Sequence, residues 1–254
     1  MNSHVREIEK ALLSFPARTS SHHPESYIGG GQSRLRYIGL RVPHLRQAMR
    51  QGFSFSRKST AELAQIWNQV WWESDCFEVM ALALAWFYEP QQKAVLCDSW
   101  PLLQKWSSRI DNWAHSDTLS GLYARILEQN PQVVYPTLVD WSLSDQPWLR
   151  RLSVVSLLYY SSQRKKVLPF KKIRALVHPQ IEFAHYYVQK GVGWTLRESS
   201  NVYPTETYAY LKKNISKVSS HAFSAATEKL PPRKKQLLKR LRKTKKLKIQ
   251  RTRR

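Results

Sequence analysis

Residues 110–117 read Ile-Asp-Asn-Trp-Ala-His-Ser-Asp, and this stretch predicts the start of a helix. Asp111 or Asn112 suits the N-cap position, because a short polar side chain can accept hydrogen bonds from the free N–H groups of the first turn. Trp113 and Asp117 are four residues apart, so a helix places them on one face, one turn from each other. The stretch therefore predicts a large aromatic surface beside a carboxylate at a helix N-terminus.

Helical patterning extends outward from this stretch in both directions. Apolar residues recur at helical spacing between Val42 and Lys229, and no segment there shows the alternation of a strand. The helices come in pairs of roughly 31 to 40 residues, which is typical of HEAT-like repeats. The pattern predicts an all-α fold, in which residues 1–230 form a single domain, an α-solenoid of HEAT-like helical pairs with a concave face.

The charge of the chain favours a polyanionic partner. The formal net charge is +23 and the isoelectric point is near 10.2. Residues 231–254 hold 13 Lys and Arg and no acidic residue, whereas residues 1–230 hold 28 basic and 18 acidic residues. The predicted domain is therefore basic in its own right, and nucleic acid is its simplest partner. An anionic membrane surface is the alternative on composition alone.

Two segments lie outside the helical pairs. The loop from about residue 16 to residue 36 contains Gly29, Gly30 and Gly31, but no Lys-Ser or Lys-Thr pair follows them, so we interpret it as a flexible loop and not as a phosphate-binding loop. Residues 231–254 are predicted to form a flexible basic tail, either a fraying helix or a disordered segment. Such a tail would contact phosphates without sequence specificity, or serve only to keep the protein soluble.

The two cysteines, Cys76 and Cys97, have no neighbours at metal-ligand spacing. The cysteine spacing therefore predicts no zinc site and suits a reducing compartment. No metal or organic cofactor is expected. The N-terminus lacks the charged-then-apolar pattern of a signal peptide, and no apolar run is long enough to span a membrane. We therefore expect a cytoplasmic protein without membrane contact, associated with the nucleoid if the protein is bacterial.

Basic and aromatic residues recur together on two further predicted helices. The helix that begins near Gln146 carries Trp148, Arg150 and Arg151, and the helix that begins near Gln180 carries Lys190, Trp194 and Arg197. In a stack of helical pairs, the second helix of each pair lines the concave face, together with the helix that begins near Asp111. Because cations suit phosphates and flat rings suit bases or sugars, this face is predicted to bind nucleic acid. A core position is the alternative for Trp148.

Four segments match a known family in their order and spacing. They are Val188–Glu198 (VQKGVGWTLRE), Tyr37–Pro43 (YIGLRVP), Trp148–Arg151 (WLRR) and Trp113–Asp117 (WAHSD). They are similar to that family's QKAIGWxLRE, FLGIxxP, WxxR and WxxxD segments. On these residues the chain resembles the AlkD-type DNA alkylation repair proteins, which are HEAT-like-repeat alkylpurine DNA glycosylases. The resemblance covers roughly residues 5–230.

The resemblance implies three catalytic residues. Trp113 and Trp194 would clasp the DNA backbone around a damaged nucleotide. Asp117 would stabilise the positive charge that develops on the deoxyribose and would position the attacking water. General chemistry agrees, because cleavage of an N-glycosidic bond passes through an oxocarbenium-like sugar that a nearby carboxylate stabilises.

The remaining site residues are assigned to DNA binding. The resemblance implies that Arg151 holds a phosphate and that Tyr27 lies near the lesion. The other predicted DNA contacts are Arg150, Lys190, Arg197 and His115.

The expected activity is that of a monofunctional DNA glycosylase. It would hydrolyse the N-glycosidic bond of cationic N-alkylated purines, N7-alkylguanine or N3-alkyladenine, in duplex DNA, as a monomer and without flipping the base. The alternative is a non-catalytic HEAT-repeat protein that binds damaged or branched DNA by shape and charge. A protein-binding scaffold is a third possibility, and RNA in place of DNA stays open because phosphate contacts do not distinguish the two.

Overall fold

A computed structural model of the protein describes residues 2–16, 28 and 33–252, with side chains through Lys245. The predicted loop with Gly29, Gly30 and Gly31 lies almost wholly outside the described residues, and so does Tyr27. The regular secondary structure of the described residues is helical, with one isolated bridge between Arg36 and Cys76. The all-α prediction is therefore confirmed.

The chain divides into two compact units, residues 1–122 and residues 123–254. The first unit contains α1 (Ser3–Leu13), α2 (Val42–Gln51), α3 (Thr60–Glu73), α4 (Phe77–Tyr88), α5 (Lys93–Asp98) and α6 (Trp100–Trp106). Helix α7 (Trp113–Gln129) begins in the first unit and ends in the second. The second unit continues with α8 (Pro131–Leu143), α9 (Pro147–Val155), α10 (Phe170–Val177), α11 (Tyr186–Val202), α12 (Pro204–Lys213), α13 (Ser220–Ala226) and α14 (Pro232–Thr252).

Tryptophan packing forms the core of the first unit. Trp71 stacks on Trp106 with ring centroids 4.5 Å apart, and Trp106 Nε1 donates to Asn68 Oδ1 at 2.9 Å. Trp67 is buried beside them on α3. Each buried indole removes on the order of 200 Å² from water, which contributes roughly 5 kcal/mol before conformational entropy is counted. Half of the ten tryptophans lie in this core, so they are not available for binding.

The segment Tyr37–Pro43 is held in place by one buried carboxylate. Glu78, in the first turn of α4, accepts hydrogen bonds from the backbone N–H groups of Ile38 at 3.0 Å, Gly39 at 2.7 Å and Leu40 at 3.2 Å. Gly39 has a φ of +84°, which glycine adopts without a steric penalty. This segment of the family pattern therefore has a structural role, because it connects the chain before α2 to α4.

Helices of the second unit stack as successive pairs. Helix α8 packs on α9, α10 on α11, and α11 on α12 and α13. The second helices of the pairs also pack on one another, α9 on α11 and α11 on α13, while the first helices α8 and α10 are neighbours. This is the arrangement of an α-solenoid built from helical pairs, as the helix rhythm predicts.

Close packing between α11 and α13 depends on a glycine. A Cβ atom at Gly193 would lie 2.6 Å from the backbone oxygen of Ala222 and 2.8 Å from its Cα. Real Cβ atoms do not approach backbone so closely, so only glycine allows the two helices to approach this far. Gly193 belongs to the Val188–Glu198 segment of the family pattern, and the structure gives this residue a packing role.

Helix boundaries differ from the prediction in two places. The apolar pattern predicts a helix from Gln146 to Ser161, but helix α9 ends at Val155, and Tyr160 beyond it adopts a left-handed conformation with a φ of +46° that does not fit an α-helix. Helix α11 begins at Tyr186 and not near Gln180, because the chain first makes a separate turn. The Nε2 of Gln189 donates to the carbonyl oxygens of Gln180 and Phe183, both at 2.8 Å, and so fixes that turn.

The C-terminal segment forms helix α14, one of the two forms that the sequence leaves open. Leu238 is fully buried, so the beginning of this helix packs on the rest of the second unit. The domain boundary at residue 230 stays a prediction.

Candidate nucleic-acid interface

Helix α7 begins where the sequence predicts. The Asn112 side chain accepts a hydrogen bond from the His115 N–H at 2.9 Å, so Asn112 is the N-cap residue. Asp111 has a different role, because its carboxylate accepts from Ser33 Oγ at 3.0 Å and from Arg34 N–H at 2.8 Å. Asn112 therefore caps α7, and Asp111 binds the segment that leads to α2.

Trp113 and Asp117 occupy the first two turns of α7. Both are partly exposed, and their spacing of four residues places them on the same face of the helix. A negative charge near a helix N-terminus is favoured by the helix dipole. We call Trp113 and Asp117 the α7 face.

His115 lies between these two residues in sequence but is buried. Its ring stacks on Phe77 with centroids 4.3 Å apart, and its Nε2 lies 3.1 Å from the Phe77 carbonyl oxygen. Its Nδ1 lies 3.1 Å from the Asn112 Nδ2. Because the carbonyl can only accept and the amide nitrogen can only donate, the ring carries its proton on Nε2 and is neutral. Burial lowers the pKa of His115 to about 4, so the predicted DNA contact of His115 is wrong.

Arg150 is also structural. Its guanidinium donates to the carbonyl oxygens of Ser142 at 3.0 Å, Leu143 at 3.2 Å and Ser144, and thereby caps the C-terminus of α8. It lies over the ring of Phe183, 4.1 Å from its centroid. Burial lowers the pKa of Arg150, and only 8% of the residue is exposed. The predicted DNA contact of Arg150 is therefore wrong as well.

Arg151 faces α11 from α9. Its Nη1 donates to the Tyr187 carbonyl oxygen at 2.7 Å, and 6% of the residue is exposed. Gly191 makes room for it, since a Cβ there would lie 3.3 Å from the Arg151 Cγ. Trp148 stacks on Tyr187 with centroids 5.0 Å apart and is partly exposed, so it is neither wholly core nor wholly surface.

Helix α11 presents the other predicted contacts. Lys190, Trp194 and Arg197 are spaced by four and three residues, which places them along one side of the helix. Lys190 is exposed, and Trp194 is partly exposed. Arg197 Nη1 pairs with Glu228 at 2.8 Å, and its guanidinium lies 6.0 Å from the Trp194 ring centroid.

Two tyrosines that the sequence did not single out pack against Trp194. The rings of Tyr159 and Tyr160 meet it edge-on, with centroids 5.2 Å and 5.8 Å away. Tyr160 is the residue with the left-handed backbone, and 47% of it is exposed. Helical periodicity continues through both positions, so no sequence signal marks them. We call Tyr159, Tyr160 and Trp194 the aromatic cluster.

A buried carboxylate fixes the turn that carries this cluster. Glu198 is 3% exposed, and its Oε2 accepts from Ser161 N–H at 3.0 Å and from Ser161 Oγ at 2.8 Å. Asn201 Nδ2 donates to the same oxygen at 3.3 Å. Glu198 therefore holds the residue that follows Tyr160 against α11, and the strained conformation at Tyr160 persists because of it.

Comparisons with known proteins agree with this architecture. A sequence model of the DNA alkylation repair enzyme family matches residues 14–230. The chain belongs to the DNA alkylation repair enzyme family. The match includes the α7 face, Arg151 and α11, and it ends before α14.

Solved structures of similar fold include two from bacteria. One is described as a predicted DNA alkylation repair enzyme from Enterococcus faecalis, with a TM-score of 0.62 and 14% identity over 87% of this chain and 99% of that chain. The other is AlkD2 from Streptococcus mutans, with a TM-score of 0.53 and 16% identity over 89% of this chain and 97% of that chain. No curated protein sequence matches the chain.

Three further observations concern this member of the DNA alkylation repair family. Among the described residues, no group of three or more His, Cys, Asp or Glu is placed to hold a metal ion. No helix within the described ranges is long and apolar enough to cross a membrane. Cys76 and Cys97 are free thiols, and burial raises the pKa of Cys76 to about 12.

Proposed function

We propose that the protein is a monofunctional DNA glycosylase. It hydrolyses the N-glycosidic bond of cationic N-alkylated purines, N7-alkylguanine or N3-alkyladenine, in duplex DNA without flipping the base. It acts as a monomer in the cytoplasm. The observation that carries the proposal is the carboxylate of Asp117 one turn from the indole of Trp113 at the start of α7, in a chain of the DNA alkylation repair enzyme family.

Asp117 supplies the chemistry in this proposal. As the C1′–N bond breaks, its electron pair moves to the purine and neutralises the positive charge that alkylation placed there. The sugar becomes an oxocarbenium-like cation, which the Asp117 carboxylate stabilises by charge. Water then adds to C1′ and its proton passes to the carboxylate or to solvent. Because the alkylated purine already carries a positive charge, its departure needs no general acid.

DNA binding is assigned to residues of α7 and α11. Trp113 and Trp194 contact the backbone next to the damaged nucleotide, and their electron-rich rings favour a cationic sugar. Lys190 contacts phosphates. Arg151, which is 6% exposed and donates to the Tyr187 carbonyl oxygen, is not assigned a phosphate contact, and Arg197 supports Trp194 from its position over the ring. Tyr27 is assigned a place near the lesion, although it lies outside the described residues.

The test is base release from duplex DNA that carries N7-methylguanine or N3-methyladenine. An Asp117→Asn variant removes the charge with little change in shape. A carboxylate about 4 Å from a unit positive charge contributes roughly 4 kcal/mol at an effective dielectric constant near 20, or about a thousandfold in rate. Since Asp117 is partly exposed, we expect a fall of about a hundredfold or more in single-turnover release, with affinity for DNA retained.

A matched control is Asp140→Asn, which removes the same charge from an exposed position on α8. It should release base at the wild-type rate. If the wild-type protein releases no base above the spontaneous rate while it still binds DNA, the protein is a non-catalytic DNA-binding solenoid and the glycosylase proposal fails.

A further inference from the structure

The segment that forms α14 would not be a stable helix without contacts with the rest of the protein. Residues 232–252 contain 11 Lys and Arg and no Asp or Glu. Like charges four residues apart on a helix repel one another, and Lys235, Lys239 and Lys243 form such a series. The helix is therefore maintained by contacts with the rest of the second unit, and the same contacts fix where its cations lie.

Leu238 and Arg242 are among the side chains of α14 that make these contacts. Leu238 is fully buried. Arg242 donates to the Val218 carbonyl oxygen at 3.0 Å and to Ser220 Oγ at 3.2 Å, and its guanidinium lies 4.8 Å from the Phe223 ring centroid. Burial lowers the pKa of Arg242. These residues face the protein, whereas Lys239, Arg240 and Lys243 are exposed.

Between α12 and α14 lies an open cleft of about 370 Å³. Ala209 and Leu241 form its apolar part. The other lining residues are Lys212 and Lys213 from α12 and Lys245 from α14. Three lysines from two helices therefore line one cleft that no carboxylate of the described residues lines.

Structural roles do not account for all three lysines. Lys212 and Lys213 lie in the last turn of α12, where the helix dipole favours positive charge, but Lys245 comes from another helix. Within the described part of the chain, no carboxylate forms an ion pair with any of the three. Converging like charges without a counter-charge are relieved by a bound anion.

We infer that α12 and α14 form a second DNA-binding surface, which holds phosphate groups of a duplex backbone at the cleft lined by Lys212, Lys213 and Lys245. The match to the family ends at residue 230, so α12 lies inside the matched range and α14 lies beyond it. Its cations suit phosphates, and no aromatic residue is among the described residues that line the cleft, so we expect it to bind the backbone and not to distinguish bases. A membrane surface fits less well. Among the described side chains of α14, Leu237 is exposed, but Leu238 is buried and Leu241 lines the cleft, so the helix does not expose a continuous apolar side as an interfacial helix does.

The test is the salt dependence of binding to an undamaged 20-base-pair duplex, followed by fluorescence anisotropy with the full-length protein. Each phosphate contact adds about 0.9 to the slope of log K against log salt concentration. A Lys212→Gln/Lys213→Gln/Lys245→Gln variant should therefore reduce the slope by about 2 to 3. Because the duplex is undamaged and no base is released, the result does not depend on the glycosylase proposal.

The matched control removes three exposed lysines elsewhere in the second unit, Lys165, Lys166 and Lys171, each changed to Gln. The slope of log K against log salt concentration should stay closer to the wild-type value for this control than for the Lys212/Lys213/Lys245 variant. An unchanged slope in the first variant, with a wild-type melting temperature, would overturn the inference, and so would an equal fall in both variants. A variant of α14 alone, Lys239→Gln/Arg240→Gln/Lys243→Gln, should also reduce the slope.

Two further arms identify the partner. Phosphate contacts should give the same change in slope on duplex RNA of equal length as on DNA. A change confined to RNA would overturn the assignment to DNA. Loss of binding to vesicles of anionic phospholipid, with DNA binding intact, would assign the surface to membranes instead.

Discussion

Substitution of Gly193 by alanine tests the close approach of α11 and α13. The added Cβ would meet the backbone oxygen of Ala222 at 2.6 Å, its Cα at 2.8 Å and the Ala225 Cβ at 2.9 Å. Backbone atoms cannot rotate away from the new methyl group, so the helices must separate. Separation loosens packing along both helices, and we expect Gly193→Ala to destabilise the protein.

The size of the effect is the difference between two opposing contributions. Alanine favours the helical state over glycine by about 1 kcal/mol. Overpacking of a well-packed contact costs roughly 1 to 3 kcal/mol, and the backbone contacts at Ala222 place Gly193→Ala at or above the upper end. The free energy of unfolding should therefore fall by about 2 kcal/mol.

A second glycine on the same helix provides the control. A Cβ at Gly191 would lie 3.3 Å from Arg151 Cγ and from Val155 Cγ2, which belong to side chains that can shift by a few tenths of an ångström. Gly191→Ala gains the same helix propensity, about 1 kcal/mol, against a smaller steric cost, so its net effect on stability should be close to zero.

The assay is urea unfolding followed by circular dichroism. With a slope of about 3 kcal/mol per molar urea, Gly193→Ala should lower the midpoint by roughly 0.7 M, while Gly191→Ala leaves it almost unchanged. If Gly193→Ala is as stable as the wild type, α11 and α13 do not approach as closely as described, and the packing role of Gly193 is refuted.

Two further predictions concern buried polar groups. Glu198→Gln should lower the free energy of unfolding by about 2 kcal/mol in the same urea assay, because it weakens the hydrogen bonds that Ser161 donates to the buried Glu198 carboxylate. The control Glu206→Gln, at an exposed position on α12, should leave the free energy of unfolding unchanged. Equal effects of the two substitutions would contradict the role of Glu198. The pKa of His115 is lower in the folded protein than in the unfolded chain, so the unfolded state binds more protons between about pH 6.5 and 4 and stability falls as the pH is lowered through that window. From pH 7 to pH 5 the free energy of unfolding should fall by about 2 kcal/mol, as measured by urea unfolding at each pH. His115→Gln should remove this part of the pH dependence. The control His221→Gln, at an exposed position, should retain it.

Local signals predicted much of the helical fold. Asn112 caps α7 and Ser59 begins a capping box with Glu62 at the start of α3, and both helices begin where the sequence indicates. Pro101 favours a helix break just before it, and α5 ends at Asp98 while α6 begins at Trp100. Caps and prolines act within a few residues, so they can be found without knowledge of the tertiary structure.

Long-range contacts explain where the sequence analysis failed. Glu198, 37 residues from Ser161, fixes the turn that follows α9, and apolar periodicity alone extended the predicted helix through that turn. His115 and Arg150 have side chains that suit DNA, but Phe77 and Phe183 cover them. Lys190, in contrast, is exposed, as a residue on the face predicted to bind nucleic acid should be. The roles of Asp117, Trp113 and Trp194 in DNA stay predictions.

Burial of Cys76 has a consequence for the conditions in which a DNA alkylation repair protein works. Thiols react with methylating agents as thiolates, and the pKa of Cys76 is raised to about 12. At neutral pH roughly one molecule in 10⁵ would carry the thiolate, and its sulfur is covered by the protein. The electrophiles that damage DNA would therefore leave this nucleophile in the core of the first unit unmodified, and the protein would keep its structure during the exposure that creates its substrate.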